Sequence, residues 1–132
     1  MIEIARCFAT AERERTAGGF PESYYKVQKI QEWLNSSYAA EISGERLGEE
    51  FDGNFDYMNR IFKRVTGQTI FQYLTAVRME HAKRLIAQTT MHTGVIGQEV
   101  GYPDEYYFSK VFKRNVGMSP RAYADSLSKN KL

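Results

Sequence analysis

Cysteine and proline are scarce in this sequence, and it has no long apolar run. The 132 residues include one cysteine, Cys7, and three prolines. A single thiol excludes an internal disulfide and any zinc site built from several cysteines. No stretch approaches the ~18 consecutive apolar residues of a transmembrane helix, and the first nineteen residues mix acids with bases, unlike a secretory signal. We therefore expect a cytoplasmic protein that makes no membrane contact.

Catalytic signatures are also missing. The chain has two histidines, His81 and His92. It contains no glycine-rich phosphate loop, no spacing typical of metal ligands and no arrangement of a nucleophile beside a base. We expect no enzymatic activity, no cofactor and no metal site.

A strong net charge of one sign is absent, because 18 basic residues nearly balance 16 acidic ones. The distribution is uneven: residues 1–50 hold six Lys or Arg against nine Asp or Glu, whereas residues 51–132 hold twelve against seven. A basic excess of this kind fits a polyanionic partner, and it equally fits ordinary solvated helices. Charge alone leaves the partner open.

An internal repeat organises the later part of the chain. NFDYMNRIFKRVTGQTIFQYL, from Asn54, matches DEYYFSKVFKRNVGMSPRAYA, from Asp104, at a separation of 50 residues. The shared residues include Phe62, Lys63, Arg64 and Gly67, which recur as Phe112, Lys113, Arg114 and Gly117. Upstream, LGEEF from Leu47 resembles IGQEV from Ile96, with one extra residue in the second connection. This self-similarity predicts two copies of one structural unit.

Each copy has the pattern of a short helix, a tight turn and a longer helix. Apolar residues recur at intervals of three and four, at Leu47, Phe51, Met58, Ile61, Phe62 and Val65 in copy one and at Ile96, Val100, Phe108, Val111, Phe112 and Val116 in copy two. Asn54 and Asp104 are suitable N-caps for the longer helix. Gly67 and Gly117 are suitable left-handed C-caps. The pattern predicts two helix-turn-helix motifs.

The turns themselves are predicted from glycine. Asp52-Gly53 connects the helices of copy one, and Gly101-Tyr102-Pro103 connects those of copy two. Glycine tolerates positive φ without a side-chain clash, so we expect the glycine of each turn to adopt it.

Further helices flank the two motifs. ESYYKVQKIQEWLNSSY, from Glu22, is amphipathic, and its expected core residues are Tyr25, Ile30, Trp33 and Leu34. Ile70 to Gln88 runs between the copies with an apolar stripe formed by Leu74, Val77, Ala82, Leu85 and Ile86. Ser119 followed by Pro120 indicates the start of a last helix.

These elements predict an all-α fold of about seven helices, with two tandem helix-turn-helix subdomains joined by a long linker helix. The first subdomain is expected at residues 20–68, the linker helix at 69–89 and the second subdomain at 90–127. Residues 128–132 are expected to be a disordered tail. Residues 1–19, with a short helix over the first fifteen, are expected to be an arm and linker or the tail of an upstream domain.

Three blocks of the sequence resemble the DNA-binding domain of the AraC/XylS family of bacterial transcription regulators. They are GYPDEYYFSKVFKRNVGMSPRAY from Gly101, LTAVRMEHAKRLI from Leu74, and LGEEFDGNFDYMNRIFKRVTGQTIFQYL from Leu47. The sequence departs from the family pattern at Gly48 and Gly97, where alanine is usual, and we expect this to weaken both short helices. The glycine of the copy-one turn also stands one residue later than is usual.

The resemblance implies sequence-specific binding to double-stranded promoter DNA and regulation of transcription, most often activation, in a bacterium. On a rigid linker helix, the two longer helices would enter successive major grooves and recognise an asymmetric site. RNA polymerase is a further expected partner, and relatives often carry an upstream effector-sensing or dimerisation domain. The alternative is a helix-turn-helix-derived protein-interaction module without DNA affinity, which the acids Asp56, Asp104 and Glu105 favour.

Residues that face bases and phosphates follow from the motif, because early exposed positions of the second helix reach base edges. The expected base-contacting residues are Asp56, Asn59, Arg60, Glu105, Tyr106, Ser109 and Lys110. The expected phosphate-contacting residues are Asn54, Lys63, Arg64, Asp104, Lys113 and Arg114. Arginine and lysine suit guanine, asparagine suits adenine, and an apolar ring suits the thymine methyl group.

Overall fold

The computed structural model describes residues 22–129, and within this range the chain forms seven α-helices and no strand. In chain order the helices are α1 (Glu22–Ser37), α2 (Gly44–Glu50), α3 (Phe55–Thr66), α4 (Ile70–Gln88), α5 (Thr93–Glu99), α6 (Glu105–Val116) and α7 (Pro120–Lys129). The all-α prediction and the order of the helices are confirmed. The helix and linker expected before residue 20, and the end of the predicted tail, lie outside the described residues. None of the described helices is both long and apolar enough to span a bilayer.

The chain divides into two compact units, with the boundary between Thr75 and Ala76. This boundary falls inside α4, the helix that the sequence assigns to the linker. The first unit therefore contains α1, α2, α3 and the first residues of α4. The second contains the rest of α4 with α5, α6 and α7.

The core of the first unit is built from one face of each of its helices. Its fully buried residues include Val27, Ile30, Leu34, Leu47, Ile61, Phe62, Ile70 and Tyr73. The rings of Phe62 and Tyr73 meet edge to face at 5.4 Å. Burial raises the pKa of Tyr73, whose hydroxyl donates to Asn35 Oδ1 at 3.2 Å. The hydroxyl of Tyr73 therefore keeps its proton and links α4 to α1.

The predicted core of α1 is confirmed at Ile30 and Leu34, only half-buried at Trp33 and wrong at Tyr25. Tyr25 is 50% exposed, whereas Val27 is fully buried. Val27, Ile30 and Leu34 lie three and four residues apart and form one stripe. Tyr25 is two residues before Val27, which at 100° per residue places it on the opposite side of the helix.

The second unit has an aromatic core. Its buried residues include Val77, Ala82, Ile96, Val100, Tyr102, Phe108, Val111 and Phe112. The ring of Phe112 also contacts that of Tyr123 on α7 at 5.8 Å. Arg78, on α4, is buried as well, and its guanidinium carbon lies 4.9 Å from the centroid of the Tyr102 ring.

The predicted caps of the two longer helices are confirmed. Asn54 Oδ1 accepts from the amide of Tyr57 at 3.0 Å, and Asp104 accepts from two amides at the start of α6. Gly67 and Gly117 have φ values of 83° and 99°, in the left-handed region where glycine is preferred. Ser119 accepts from the amide of Ala122, so α7 begins at Pro120 as predicted.

The predicted turn of copy one was wrong in its glycine. Asp52, and not Gly53, has positive φ, at 49°, while Gly101 has the equivalent conformation in copy two, at 105°. The hydrogen bonds explain the shift, because Gly53 N donates to Gly48 O at 3.0 Å and Tyr102 N donates to Gly97 O at 2.7 Å. The first residue of each turn is the left-handed one, so Asp52 takes the place of Gly101.

Gly48 and Gly97 lie at close approaches within the two motifs. A Cβ added at Gly48 would lie 2.9 Å from the carbonyl oxygen of Gly53. A Cβ at Gly97 would lie 3.0 Å from Cγ of Phe108. Alanine would gain helix propensity here, but it would also require the turn or the ring to move. Close packing therefore accounts for glycine at these two positions, and the weakness expected of the two short helices stays a prediction.

Candidate nucleic-acid interface

The two longer helices, α3 and α6, present matching exposed faces. On α3 the exposed side chains include those of Asp56, Arg60, Lys63 and Arg64, and on α6 they include those of Glu105, Tyr106, Lys110, Lys113 and Arg114. The opposite faces of both helices are buried in their own units through residues such as Phe62 and Phe112. Each unit therefore fixes one helix by its apolar side and leaves its basic side in solvent.

Six cations occupy equivalent places on these faces. Arg60, Lys63 and Arg64 on α3 correspond to Lys110, Lys113 and Arg114 on α6, 50 residues later. Within residues 22–129, none of the six forms a salt bridge. Lysine and arginine side chains in this state are available for phosphate oxygens or base edges.

The two faces differ in what accompanies these cations. On α6, Tyr106 is 72% exposed, and Lys110 Nζ lies 5.3 Å from the centroid of its ring. On α3 the equivalent pair is Asp56 and Arg60. Helix α6 therefore offers an aromatic surface with a cation beside it, and α3 offers an acid and an arginine.

Asn59 has a structural partner that sequence reasoning missed. Its side-chain oxygen accepts from the backbone amide of Ile70 at 2.9 Å and so satisfies the first turn of α4. The equivalent residues of copy two are Ser109 and Pro120. Proline has no amide hydrogen, so this position of copy two needs no acceptor. Asn59 and Ser109 are both half-buried, and their contacts with bases remain predictions.

Glu105 lies at the junction between α5 and α6. Its carboxylate oxygen is 3.4 Å from His92 Nδ1, the same atom that accepts from the amide of Gly94 at 3.3 Å at the start of α5. Asp104, beside it, uses its carboxylate to cap α6. The phosphate contacts expected at Asn54 and Asp104 therefore involve residues whose side-chain oxygens already accept backbone hydrogen bonds.

Arg78 also went unnoticed in the sequence. It stands in an amphipathic helix among other charged residues, where a solvent-exposed cation is the usual outcome. The structure instead buries it over Tyr102 and against the backbone of Gly101, where an added Cβ would come within 2.9 Å of the guanidinium. The residues that bury Arg78 are a glycine and an aromatic residue in a turn that begins 23 residues later, and only folding brings that turn to Arg78.

Comparison with known proteins decides the family. A family model described as "Helix-turn-helix domain" matches residues 54–126, which is more than half of the chain. The HTH-type transcriptional activator RhaR of Klebsiella pneumoniae is 33% identical over 120 residues, or 89% of this chain and 43% of that protein. The chain belongs to the AraC/XylS family.

Other members of the AraC/XylS family match in sequence and in structure. The uncharacterized HTH-type transcriptional regulator YisR of Bacillus subtilis is 45% identical over 97 residues, covering 74% of this chain and 34% of that protein. The carboxy-terminal domain of AraT, a response regulator of Geobacillus stearothermophilus, superposes with a TM-score of 0.75 at 27% identity, over 76% of this chain and 84% of that one. The chain spans about a third to a half of the curated relatives it matches.

One solved AraC-type structure holds nucleic acid. The DNA-binding domain of the global transcriptional factor AdpA, in complex with a target DNA, has a TM-score of 0.74 and 20% identity, over 79% of this chain and 94% of that one. At this identity the match establishes a common fold. The two helix-turn-helix units are the AraC-type architecture.

Proposed function

We propose that this chain binds double-stranded DNA sequence-specifically, inserting α3 and α6 into major grooves, and that it thereby regulates transcription in a bacterium. The observation that carries the proposal is the duplicated basic face, in which three exposed cations on α3 recur at equivalent positions on α6. A protein-interaction module has no need to keep the same cations on both helices. The relative RhaR is a transcriptional activator by name, which supports activation as the form of regulation.

The two helices are suited to different base sequences. Arg60 can donate two hydrogen bonds to O6 and N7 of a guanine, and Asp56 can accept from a cytosine N4. On α6, Lys110 suits guanine, and the exposed ring of Tyr106 can pack on a thymine methyl group. The site is therefore asymmetric, with one half read by each helix.

Affinity, in contrast, comes mainly from the phosphates. Lys63, Arg64, Lys113 and Arg114 lie in the last turns of α3 and α6, and their charges are exposed. Each phosphate that such a residue neutralises releases counterions, which steepens the log–log dependence of affinity on salt by about 1. Promoter DNA, RNA polymerase and the cytoplasm are the partners and the compartment that this function requires.

The test is selection of binding sites from a random duplex library by the purified chain, followed by salt titration of the selected sequences. We expect a motif with two unlike halves, whose separation measures the spacing of the two units on DNA. Arg60→Ala should relax one half and Lys110→Ala the other, each by about 1–3 kcal/mol of discrimination. Lys29→Ala, which removes an exposed cation on α1, is the matched control and should leave the motif unchanged.

Phosphate contacts are tested separately. Lys63→Ala and Lys113→Ala should each weaken binding to every sequence and lower the salt slope by about 1. Weak binding with no enriched motif would refute sequence-specific recognition. A chain with no affinity for duplexes at low salt would instead support the protein-interaction alternative.

A further inference from the structure

The internal repeat presents one pocket in two forms, filled in the second unit and open in the first. Gly53 and Tyr102 are equivalent residues, because the amide of each donates to the carbonyl of the glycine five residues earlier. Only the second has a side chain. The structure therefore shows what this position accommodates when a ring is present.

In the second unit the ring of Tyr102 fills the pocket and is only 7% exposed. Its centroid lies 5.8 Å from that of Tyr107 and 5.9 Å from that of Phe108. The guanidinium of Arg78 covers it at 4.9 Å, a cation–π distance. The pocket thus binds an aromatic ring between aromatic walls and a cation from α4.

In the first unit the corresponding space is an open groove of about 230 Å³. Tyr57 and Met58, the equivalents of Tyr107 and Phe108, line it together with Ile30, Phe51 and Gly53. Tyr57 is 49% exposed, so this wall of the groove is open to solvent. The volume is below the ~300–1,000 Å³ of ordinary small-molecule pockets, so it suits one inserted side chain better than a larger ligand.

The rim of the groove is basic. Lys26 and Lys29 from α1 border it, against one acid, Glu22. Lys26 Nζ lies 5.8 Å from the centroid of the Tyr57 ring, so a cation stands beside one wall of the groove. Lys29 Nζ is 3.9 Å from Glu32, and both side chains are mostly exposed, so this surface pair is weak. The rim therefore favours an occupant with negative charge beside its apolar part.

We propose that this groove is a docking site for a partner protein, which inserts a tyrosine or phenylalanine side chain flanked by aspartate or glutamate. Aromatic anchors in small pockets contribute much of the affinity of protein interfaces, and complementary charges increase the association rate and the specificity. The proposal does not depend on DNA binding, because the groove residues are not among those expected to contact bases or phosphates. It can hold even if DNA recognition fails.

Gly53→Tyr tests the proposal by filling the groove from within. A Cβ at Gly53 would lie 3.7 Å from Met58 Sδ and from the carbonyl oxygen of Phe51, which is ordinary contact. The residue does not have positive φ, so a tyrosine causes no backbone strain. We expect the variant to fold, with a raised melting temperature, because the new ring buries apolar surface and the unfolded chain loses freedom.

The probe is a blocked peptide, Asp-Glu-Tyr-Glu-Asp, added at about 1 mM to the isotope-labelled chain, because one short anchor binds weakly. We expect amide shifts at Gly53 and Tyr57 and at the indole of Trp33, whose ring lies 5.8 Å from that of Phe51. Gly53→Tyr should abolish these shifts, whereas Gly53→Ala, which leaves the groove open, should keep them. Reversing the charges of Lys26 and Lys29 together to glutamate should weaken binding about tenfold.

Four results would overturn the proposal. The first is the absence of shifts in the wild-type chain, and the second is binding that survives Gly53→Tyr. The third is equal binding of a peptide with alanine in place of tyrosine, which would mean that charge alone holds it. The fourth has two forms. Either sedimentation shows self-association that Gly53→Tyr removes, or trypsin cleaves at Arg13 and Arg15 in the variant but not in the wild-type chain. Either finding would mean that the chain itself occupies the groove.

Discussion

Replacing Asn59 with alanine removes the acceptor of the buried Ile70 amide, and we expect this to destabilise the first unit. The hydrogen bond is 2.9 Å long, and Ile70 is fully buried. A buried donor left without a partner costs about 1–3 kcal/mol. Alanine recovers roughly 0.5 kcal/mol because asparagine is a poorer helix former. The free energy of unfolding should therefore fall by about 0.5–2.5 kcal/mol.

Copy two suggests the matching second substitution. Pro120 stands where copy one has Ile70, and it carries no amide hydrogen. In an Ile70→Pro background, Asn59→Ala should therefore cost less than about 0.5 kcal/mol, or even stabilise the unit. The packing lost with the isoleucine side chain is common to both arms of this double-mutant cycle and cancels. The gain in helix propensity cancels too, so the coupling energy between the two positions should be about 1–3 kcal/mol.

Urea unfolding followed by tryptophan fluorescence measures this energy. Trp33 is the only tryptophan in the sequence and lies on α1, so its signal reports the first unit. Ser109→Ala, the equivalent change in the second unit, is the control and should leave that transition unmoved. An equal cost of Asn59→Ala in both backgrounds would refute the assigned hydrogen bond.

Three further predictions concern a turn, a close approach and a titrating group. Asp52→Val should lower the stability of the first unit by about 1–2 kcal/mol, because a β-branched residue is strained at positive φ, whereas Asp52→Gly should not lower it. Urea titration followed by Trp33 fluorescence compares the two variants, and equal stabilities would contradict the strain. Gly97→Ala should lower the melting temperature of the second unit, since the cost of overpacking against Phe108 exceeds the gain of roughly 1 kcal/mol in helix propensity. A raised melting temperature in calorimetry would contradict this prediction. Burial, and secondarily the charge of Arg84, lowers the pKa of His81, so the folded state binds this proton less well than the unfolded state does. Stability should therefore fall as the pH drops below the unfolded value of about 6.5, and thermal unfolding of His81→Gln should be less sensitive to pH in that range.

Much of the fold could be predicted because its determinants are local. Asn54 and Asp104 cap helices through amides two or three residues away, and Gly67 and Gly117 end helices through their own backbone conformation. The 50-residue repeat made the two motifs visible before any contact was known. The prediction for Tyr25 was wrong because it assigned this residue to the core for its large aromatic ring. The spacing of Val27, Ile30 and Leu34, which is visible in the sequence, marks the side of the helix that is buried.

The candidate interface was only partly predictable. Exposure of Arg60, Lys63, Lys110 and Lys113 followed from helical periodicity, because their apolar neighbours define the buried side. The role of Asn59 did not follow, since its partner is eleven residues away across a turn. Which bases and phosphates these side chains contact depends on the DNA and stays a prediction.

By itself, the sequence determined the helices, their caps, the repeat and the side of each helix that faces solvent. Caps and periodicity depend on residues a few positions apart, so they can be recognised without knowing any distant contact. Only the tertiary structure decided that Asp52 has the left-handed conformation, that Arg78 is buried over Tyr102, and that Gly53 leaves a groove open. The burial of Arg78 and the groove depend on atoms from segments distant in sequence, whose packing no local pattern encodes. The turn at Asp52 depends on which amide donates to Gly48 O, and the glycine at position 53 pointed to the wrong residue.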